Sequence, residues 1–463
     1  MQPRPRTFWQ RVLRSVTQKP ARLAMISFAL AILGGAVLLC LPVSSESGEW
    51  TAPIDALFTS TSAVCVTGLI VKDTPVYWSM FGEIVILVLI QAGGLGIMTV
   101  YAFLASALGT RLSLGFERML GDMVESHPQE NIWDMVKFIC LFTLVMEVMG
   151  AVALYFSWRG AFESAWHCFY HSVFHSISAF CNAGFSLNSD SLVQFQSNVP
   201  VNVTICALIV LGGIGFLVAR DIGQYGWWWL FRRQGRRPQL STHSRVALIV
   251  TGLLLVGGFA MVLLTESLGS LSGAPLKNRI LAGIFQSVTP RTAGFNTMPL
   301  GEGTIASSTA LLLMTLMFIG GSPGSTAGGI KTTTLGVMIA SIIATLRGRE
   351  KAEMFSHAVK NETVHRVASV ILLSLGALVA GIFLLLITES GTGFLPISFE
   401  ATSAFGTVGL SMGITDTLSS WGRLIITALM YIGRLGPVTI VLSAAAIESR
   451  VSYQYPSAHI VVG

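Results

Sequence analysis

An all-α, polytopic membrane protein is the fold this sequence predicts: four pseudo-fourfold repeats, each a helix, a re-entrant loop and a second helix, giving eight transmembrane helices plus four re-entrant pore loops around a central pore. Composition carries the first part of that expectation. Of 463 residues, 52% are hydrophobic and only 11% are charged, against roughly 25% charged in an ordinary soluble domain. Leu23 to Leu41, Val246 to Thr265 and Ala368 to Thr388 are almost free of charge, and about 20 apolar helical residues cross a hydrocarbon layer ~30 Å thick. An internal fourfold repeat carries the rest.

The first apolar run is too long for the core of a signal peptide and ends in "LCLPVSSES" without a small-x-small cleavage site, so it reads as a retained helix. Residues 1–22 carry Arg4, Arg6, Arg11, Arg14, Lys19 and Arg22 and no acid, whereas 43–55 carry Glu46, Glu49 and Asp55 and no base. By the positive-inside rule the N-terminus is cytoplasmic, as are the basic segments Arg220 to Arg245 and Arg347 to Arg366, and with them the C-terminus. The pI of 9.1 is then a topology signal that needs no nucleic-acid partner. "GWWWLF" (Gly226 to Phe231) beside Arg232 and Arg233 reads as an interfacial aromatic belt. Cys40, Cys65, Cys140, Cys168, Cys181 and Cys206 have no C-x-x-C spacing, so free buried thiols are expected rather than a zinc site or a disulfide framework.

Four segments align by eye: "FTSTSAVCVTGL" (Phe58 to Leu69), "FHSISAFCNAGF" (Phe174 to Phe185), "FQSVTPRTAGF" (Phe285 to Phe295) and "FEATSAFGTVGL" (Phe399 to Leu410). Their glycines, Gly68, Gly184, Gly294 and Gly409, are 116, 110 and 115 residues apart, and each is followed 24 to 28 residues later by a second cluster: "GGLG" at Gly93, "GGIG" at Gly212, "GGSPG" at Gly320 and "GRLG" at Gly433. The expected division is 1–22 as basic N-terminus, 23–107 as repeat one, 132–219 as repeat two, 246–346 as repeat three and 367–463 as repeat four with the C-terminus. Linkers 108–131, 220–245 and 347–366 lie on the cytoplasmic side.

The segment before each first glycine, 10 to 14 residues long, is too short to span and should enter the membrane and return on the same side. Non-helical backbone at that depth is tolerated where it lines a watery path or is buried in protein. A ring of backbone carbonyls can replace the water shell of a cation, and glycine permits the dihedrals that aim them. The candidate filter is Cys65, Val66, Thr67 and Gly68, with Asn182, Ala183 and Gly184, Thr292, Ala293 and Gly294, and Thr407, Val408 and Gly409. Tight turns between packed helices are the plainer alternative.

These residues resemble the Trk/Ktr/HKT superfamily of potassium transporters over essentially the whole chain, through the four glycine loops, the "RTAGF" of loop three, the glycine-rich break after Gly320 and "GRLGP" in the last helix. Because the first spanning run feeds straight into the first loop, the chain is most similar to the KtrB type, the membrane ion-translocating subunit of Ktr systems. The resemblance implies K+ uptake, frequent dependence on Na+, a homodimer with one pore per protomer, and a cytoplasmic KtrA-type nucleotide-binding ring. It also implies a bacterial cytoplasmic membrane and no organic cofactor in this chain. Glycine at all four filter positions goes with K+ preference in the family; a Na+ or poorly selective cation transporter of the same architecture is the alternative.

Below the filter, Arg434 interrupts an uncharged run, and an intramembrane arginine is a functional candidate by default. The stretch Gly320, Gly321, Ser322, Pro323, Gly324, Ser325, Thr326, Gly328, Gly329 and Lys331 cannot continue a helix, and it is expected to make repeat three the one whose inner helix is broken. A loop at 320–331, held by few bonds and offering many backbone groups and the hydroxyls of Ser322, Ser325, Thr326 and Thr332 to Arg434, would serve as a gate; Arg434 either raises the barrier to a cation there or ties the last helix to neighbouring carbonyls. The same stretch is near a phosphate-binding G-x-x-x-x-G-K-[ST], but "GIKT" and an apolar preceding run lack the strand and spacing which that motif requires. A membrane enzyme or an ATP-driven pump would need a soluble catalytic domain, and cytoplasmic segments of about 20 to 27 residues offer none.

Several residues stay open. Arg291 stands where the other loops have Cys65, Cys181 and Gly406, and either anchors its loop or shapes the outer field. His167, His171 and His175 have metal-like spacing on the second re-entrant helix, with helix packing as the alternative. Glu83 and Glu147 either pair with a base in a neighbouring repeat or are neutral.

Overall fold

The computed structural model describes residues 20–97, 99, 132–231, 239–267, 269–301 and 303–444. The basic residues before Pro20, the 108–131 linker, Arg232 and Arg233, and residues 445–463 lie outside the described residues. Among those described, the only strands form a hairpin, β1 (Glu353–Met354) with β2 (His357–Ala358); all other regular structure is helical.

Four long apolar helices mark the four repeats: α1 (Pro20–Cys40), α4 (Ile132–Trp158), α8 (Thr242–Glu266) and α12 (Asn361–Thr388). Only 22% to 28% of each apolar window is buried. Surfaces such as Leu30, Val37, Leu253 and Phe383 therefore face outward, where only an apolar solvent accommodates them. Each long helix is followed by a short one: α2 (Pro53–Val64), α5 (Ala165–Phe180), α9 (Leu276–Val288) and α13 (Phe394–Gly406). At 16 residues, α5 exceeds the expected length, because its first turns project with Trp166 and Phe169 exposed.

The second helix of every repeat is interrupted at its glycine cluster. α3 (Met80–Leu95) stops at Gly96, whose φ is 82°. α6 (Val199–Gly213) meets α7 (Phe216–Phe231) with a bend of 106°. α10 (Ser307–Phe318) and α11 (Thr332–Leu346) are separated by residues 319–331. α14 (Ser420–Leu435) yields at Gly436, φ 82°, to α15 (Pro437–Ala444). The expectation that repeat three alone is broken is thus corrected: repeat three differs only in how long its break is.

Packing explains the registers. On the long helices, a Cβ at Gly35 or Gly150 would collide with Ser60 or Ser176 of the short helix and with Leu89 or Leu208 of the second helix, and Gly258 meets Ser287 and Leu316 in the same way. Those serines donate to Ile32, Glu147 and Leu255 carbonyls at 2.7, 2.6 and 2.6 Å. Repeat four has Ala401 at that place, and Gly381 packs on Leu429 alone. The second clusters have a similar reason. A Cβ on Gly93, Gly212 or Gly433 would run into the carbonyl of Val64, Phe180 or Phe405 at the C-terminal end of that repeat's own short helix. Glycine there lets two helices cross with backbones in contact.

Neighbouring repeats are clasped at one end of the assembly. Arg423 of α14 pairs with Asp55 at the start of α2, closing repeat four onto repeat one. The Tyr170 hydroxyl of α5 donates to Glu83 of α3 at 2.7 Å; Glu83 thus bonds a phenol of repeat two rather than a base.

Candidate functional site

The four glycine loops come together at the C-terminal ends of the four short helices. In each loop the residue two before the glycine is left-handed, with φ of 57° at Val66, 60° at Asn182, 74° at Thr292 and 50° at Thr407, and so is the glycine, with φ of 90°, 70°, 76° and 94° at Gly68, Gly184, Gly294 and Gly409. The residue between them is not. Alternating handedness turns successive carbonyls to one side of the chain, and only strong external constraint keeps β-branched residues there.

The loops close on one another in chain order. A Cβ on Gly68 would strike the Ala183 carbonyl, one on Gly184 would lie 2.9 Å from the Ala293 carbonyl, one on Gly294 would strike Val408 and one on Gly409 would strike Thr67. The same positions lie 3.0, 3.0, 3.1 and 3.0 Å from the Cα of the next loop's glycine. Four backbones therefore share one axis, and no side chain larger than hydrogen fits at the four glycines.

Two rings of short-helix side chains hold this arrangement, one resting on the serine- and threonine-rich pattern and the other not foreseen. Gly68 N donates to Ser62 Oγ at 3.0 Å and Gly409 N to Ser403 Oγ at 3.1 Å. Ser178 and Thr289 donate to the Phe185 and Phe295 carbonyls at 2.8 and 2.6 Å. The second ring is the residue following the phenylalanine that opens each repeated segment: Thr59, His175, Gln286 and Glu400. His175 Nε2 bonds Ser186 Oγ at 3.0 Å, Gln286 Nε2 donates to Asn296 at 3.3 Å, and Glu400, 0% exposed, accepts from Ser411 at 2.8 Å and from Thr415. Ser186, Asn296 and Ser411 each lie two residues past a ring glycine. Thr59 has no such partner. The signal was the column itself, readable only once the segments are stacked and the polar members compared.

The 319–331 segment packs against this ring. Gly328 lies against Gly406 and Thr407 of loop four, and Thr326 Oγ1 donates to Phe180 O, at the end of α5, at 3.2 Å. Its backbone is tied down more fully than expected. Gly320 N donates to Ile330 O, Ile330 N to Phe318 O, Ser322 N and Thr326 N to Gly213 and Gly212 of the α6 break, and Phe216 N to Gly324 O. Those amides are taken by carbonyls, so they do not cradle a phosphate; the segment links two helices, and Lys331, at the N-cap of α11, donates to Ala327 O at 2.7 Å. Ser322 and Thr332 hydroxyls bond each other at 3.0 Å, and Ser325 bonds Ser322 O at 2.6 Å.

Arg434, on the last turn of α14, donates from Nη1 to Thr326 O and from Nη2 to Gly93 O. It therefore engages backbone rather than the loop hydroxyls, and it ties repeats four, three and one together. Arg291 donates from Nη2 to Gly320 O and Thr251 Oγ1, both at 3.4 Å, so it anchors its loop to carbonyl and hydroxyl. Glu147 is met by Gln91 Nε2 at 3.3 Å and by the Cys181 thiol at 3.9 Å. Of the three histidines, His167 is exposed while His171 and His175 stack at 5.8 Å. Among the described residues no set of three side chains is placed to hold a metal. All six cysteines are free thiols.

A family model described as cation transport protein, TrkH, matches residues 10–455. The chain belongs to the TrkH family of cation transport proteins. It is 40% identical to the potassium/sodium uptake protein NtpJ of Enterococcus hirae, over 96% of this chain and 97% of that one. It is also 40% identical to the Ktr system potassium uptake protein B of Bacillus subtilis, over 98% and 99%. The crystal structure of the potassium transporter TrkH from Vibrio parahaemolyticus matches with a TM-score of 0.69 at 18% identity, covering 93% of this chain and 85% of that one, a likeness of fold. The expected membership of the Trk/Ktr/HKT superfamily holds, the all-α multi-pass membrane architecture with it, and a TrkH-family chain is a transporter rather than an enzyme.

Proposed function

We propose that this chain is a potassium uptake pathway of a bacterial cytoplasmic membrane, in which the ring of four glycine loops is the selectivity filter, the 320–331 loop is the gate and Arg434 sets the barrier below the filter. The observation that carries this reading is the mutual closure of the loops: four loops of one chain, with the same left-handed pattern, share one axis, the arrangement in which carbonyls can stand in for the water of a dehydrated cation. Membrane potential, worth ~2.3 kcal/mol per charge per 100 mV, supplies the driving force. The loop offers backbone carbonyls, and Arg434 of α14 a guanidinium, where the path leaves the ring, and withdrawal of the loop opens that path.

The relatives' names support K+ as cargo, and the sodium in one of them supports Na+ as a co-ion or as a second cargo. The Ktr-system naming supports partnership with a regulatory subunit; in this reading that subunit forms a cytoplasmic nucleotide-binding ring of the KtrA type on a homodimer of this chain. In this reading both termini and the three linkers face the cytoplasm, and the long helices α1, α4, α8 and α12 face lipid. Purified protein in vesicles, with imposed K+ and Na+ gradients, is the test. A reversal potential that follows the K+ gradient is expected. A wild-type potential that ignores the K+ gradient overturns the proposal in favour of the sodium or unselective reading.

A further inference from the structure

Arg291 brings a charge into the third loop at a place held by Cys65, Cys181 and Gly406 in the others. It is 7% exposed, and among the described residues its guanidinium has no carboxylate partner. Nε has no partner at all. One of its two acceptors, Gly320 O, belongs to the first residue of the 320–331 loop, while its own backbone precedes Thr292, the left-handed ring residue with φ 74°. The side chain thus spans from ring to loop in a single step.

Apart from Gly320 O, the surroundings offer it Thr251 Oγ1 alone. The cavity beside it, lined by Arg291, Thr251, Gly213, Gly321 and Val288, has a volume of about 10 Å³, enough for one water and too small for a guanidinium to swing into. If the loop withdrew while the ring stayed still, a buried charge would lose a hydrogen-bond acceptor, and charged groups left unsatisfied in a protein interior are among the costliest. The less costly course is for Arg291 to follow Gly320 O and to carry Thr292 with it.

We propose that Arg291 is a positioning residue that makes the third filter loop and the gate loop move as one unit, so that ion discrimination depends on the state of the gate. This rests on the reading of the ring as filter and of 320–331 as gate. Coupling of this kind is reciprocal: an occupied filter holds the loop in place as the loop holds the filter.

The test is a cycle in reconstituted vesicles, using wild type, Arg291→Gln, a loop shortened by deletion of residues 325–328, and both changes together. Reversal potentials under K+ and Na+ gradients are the readout. Arg291→Gln is expected to lower K+ over Na+ discrimination by about fivefold or more, the lower range of measured couplings. The shortened loop should do likewise although no ring residue has been altered, and the double variant should be no worse than either single one. Arg291→Lys, which keeps the charge but reaches one acceptor, should retain part of the discrimination, and it replaces Arg291→Gln if the latter is not recovered as a monodisperse protein. Losses that add in the double variant, or full discrimination in the shortened loop, overturn the coupling. A wild type that shows no K+ preference overturns the filter reading instead, which separates the two failures.

Discussion

The glycine ring and the helix breaks beside it are built from glycines repeated four times at the same register, yet one is symmetric and the other is not. At the ring, every loop shows the same pair of left-handed residues and meets the next at nearly the same separation. At the breaks, α3 and α14 yield at a single glycine, α6 and α7 turn through 106°, and α10 and α11 are parted by the whole of 319–331. Four backbones that share an axis constrain one another equally, so a departure in one would spoil the others' fit. A path along that axis can be obstructed by a single unit, which leaves three breaks free to serve packing alone.

The sharpest way to break the symmetry is at a ring glycine. Gly409→Ala would place a methyl group in the Thr67 carbonyl at a φ of 94°, and left-handed backbone alone costs an alanine about 1–2 kcal/mol before the collision is counted. Potassium flux in vesicles should fall to background, while Gly34→Ala, whose Cβ meets nothing within 4 Å, leaves it unchanged. Selective flux surviving at Gly409→Ala would show that the ring is not the filter.

The breaks should respond unequally. A methyl group at Gly433 would press on the Phe405 carbonyl, fixed at the base of α13, whereas one at Gly320 would press on Gly328 O inside the loop itself. Gly433→Ala should therefore lower thermal stability by about 1–3 kcal/mol, as overpacking does, and Gly320→Ala should displace the loop and raise flux. Arg434→Ala should raise K+ flux by about tenfold. A unit charge acting on an ion about 10 Å away in an effective dielectric of ~20 is worth roughly 1–2 kcal/mol, which sets the scale of that expectation. Equal effects at Gly433 and Gly320, or unchanged flux at Arg434→Ala, would erase the distinction drawn between structural and gating breaks.

Much of this was legible in the sequence because symmetry writes itself into spacing. The loops, their glycines, the break after Gly320 and the odd positions of Arg291 and Arg434 all stand out from the repeat. What escaped was whatever depends on an exact partner. Neighbouring carbonyls were open as partners of Arg434, but nothing in "GRLG" says that they are Thr326 O and Gly93 O, since backbone acceptors have no signature. The breaks at Gly96, Gly215 and Gly436 were hidden because one or two glycines are compatible with a continuous helix. Glu147 and Glu83 left ion pairing and neutrality both open, and their partners, an amide, a thiol and a phenol, come from segments that carry no sign of it.

The smallest effect tests the least symmetric column of the ring's support, where Thr59, His175, Gln286 and Glu400 occupy one register. Gln286 already holds Asn296 with an amide at 3.3 Å, so the register tolerates a neutral side chain. Glu400→Gln keeps one acceptor oxygen for Ser411 or Thr415, hydroxyls that can reverse their roles toward the new amide. The loss should be about 1 kcal/mol of stability, the net value of an ordinary hydrogen bond, read as a small drop in melting temperature with K+ preference retained. Glu400→Ala, which removes the carboxylate from both hydroxyls and leaves Thr415 and Ser411 to bond each other, should cost more and blur the preference. Were Glu400→Gln to abolish flux while the protein stayed folded, the carboxylate would be acting through its charge on the passing ion, and the fourth loop would have to be read as unlike its three sisters.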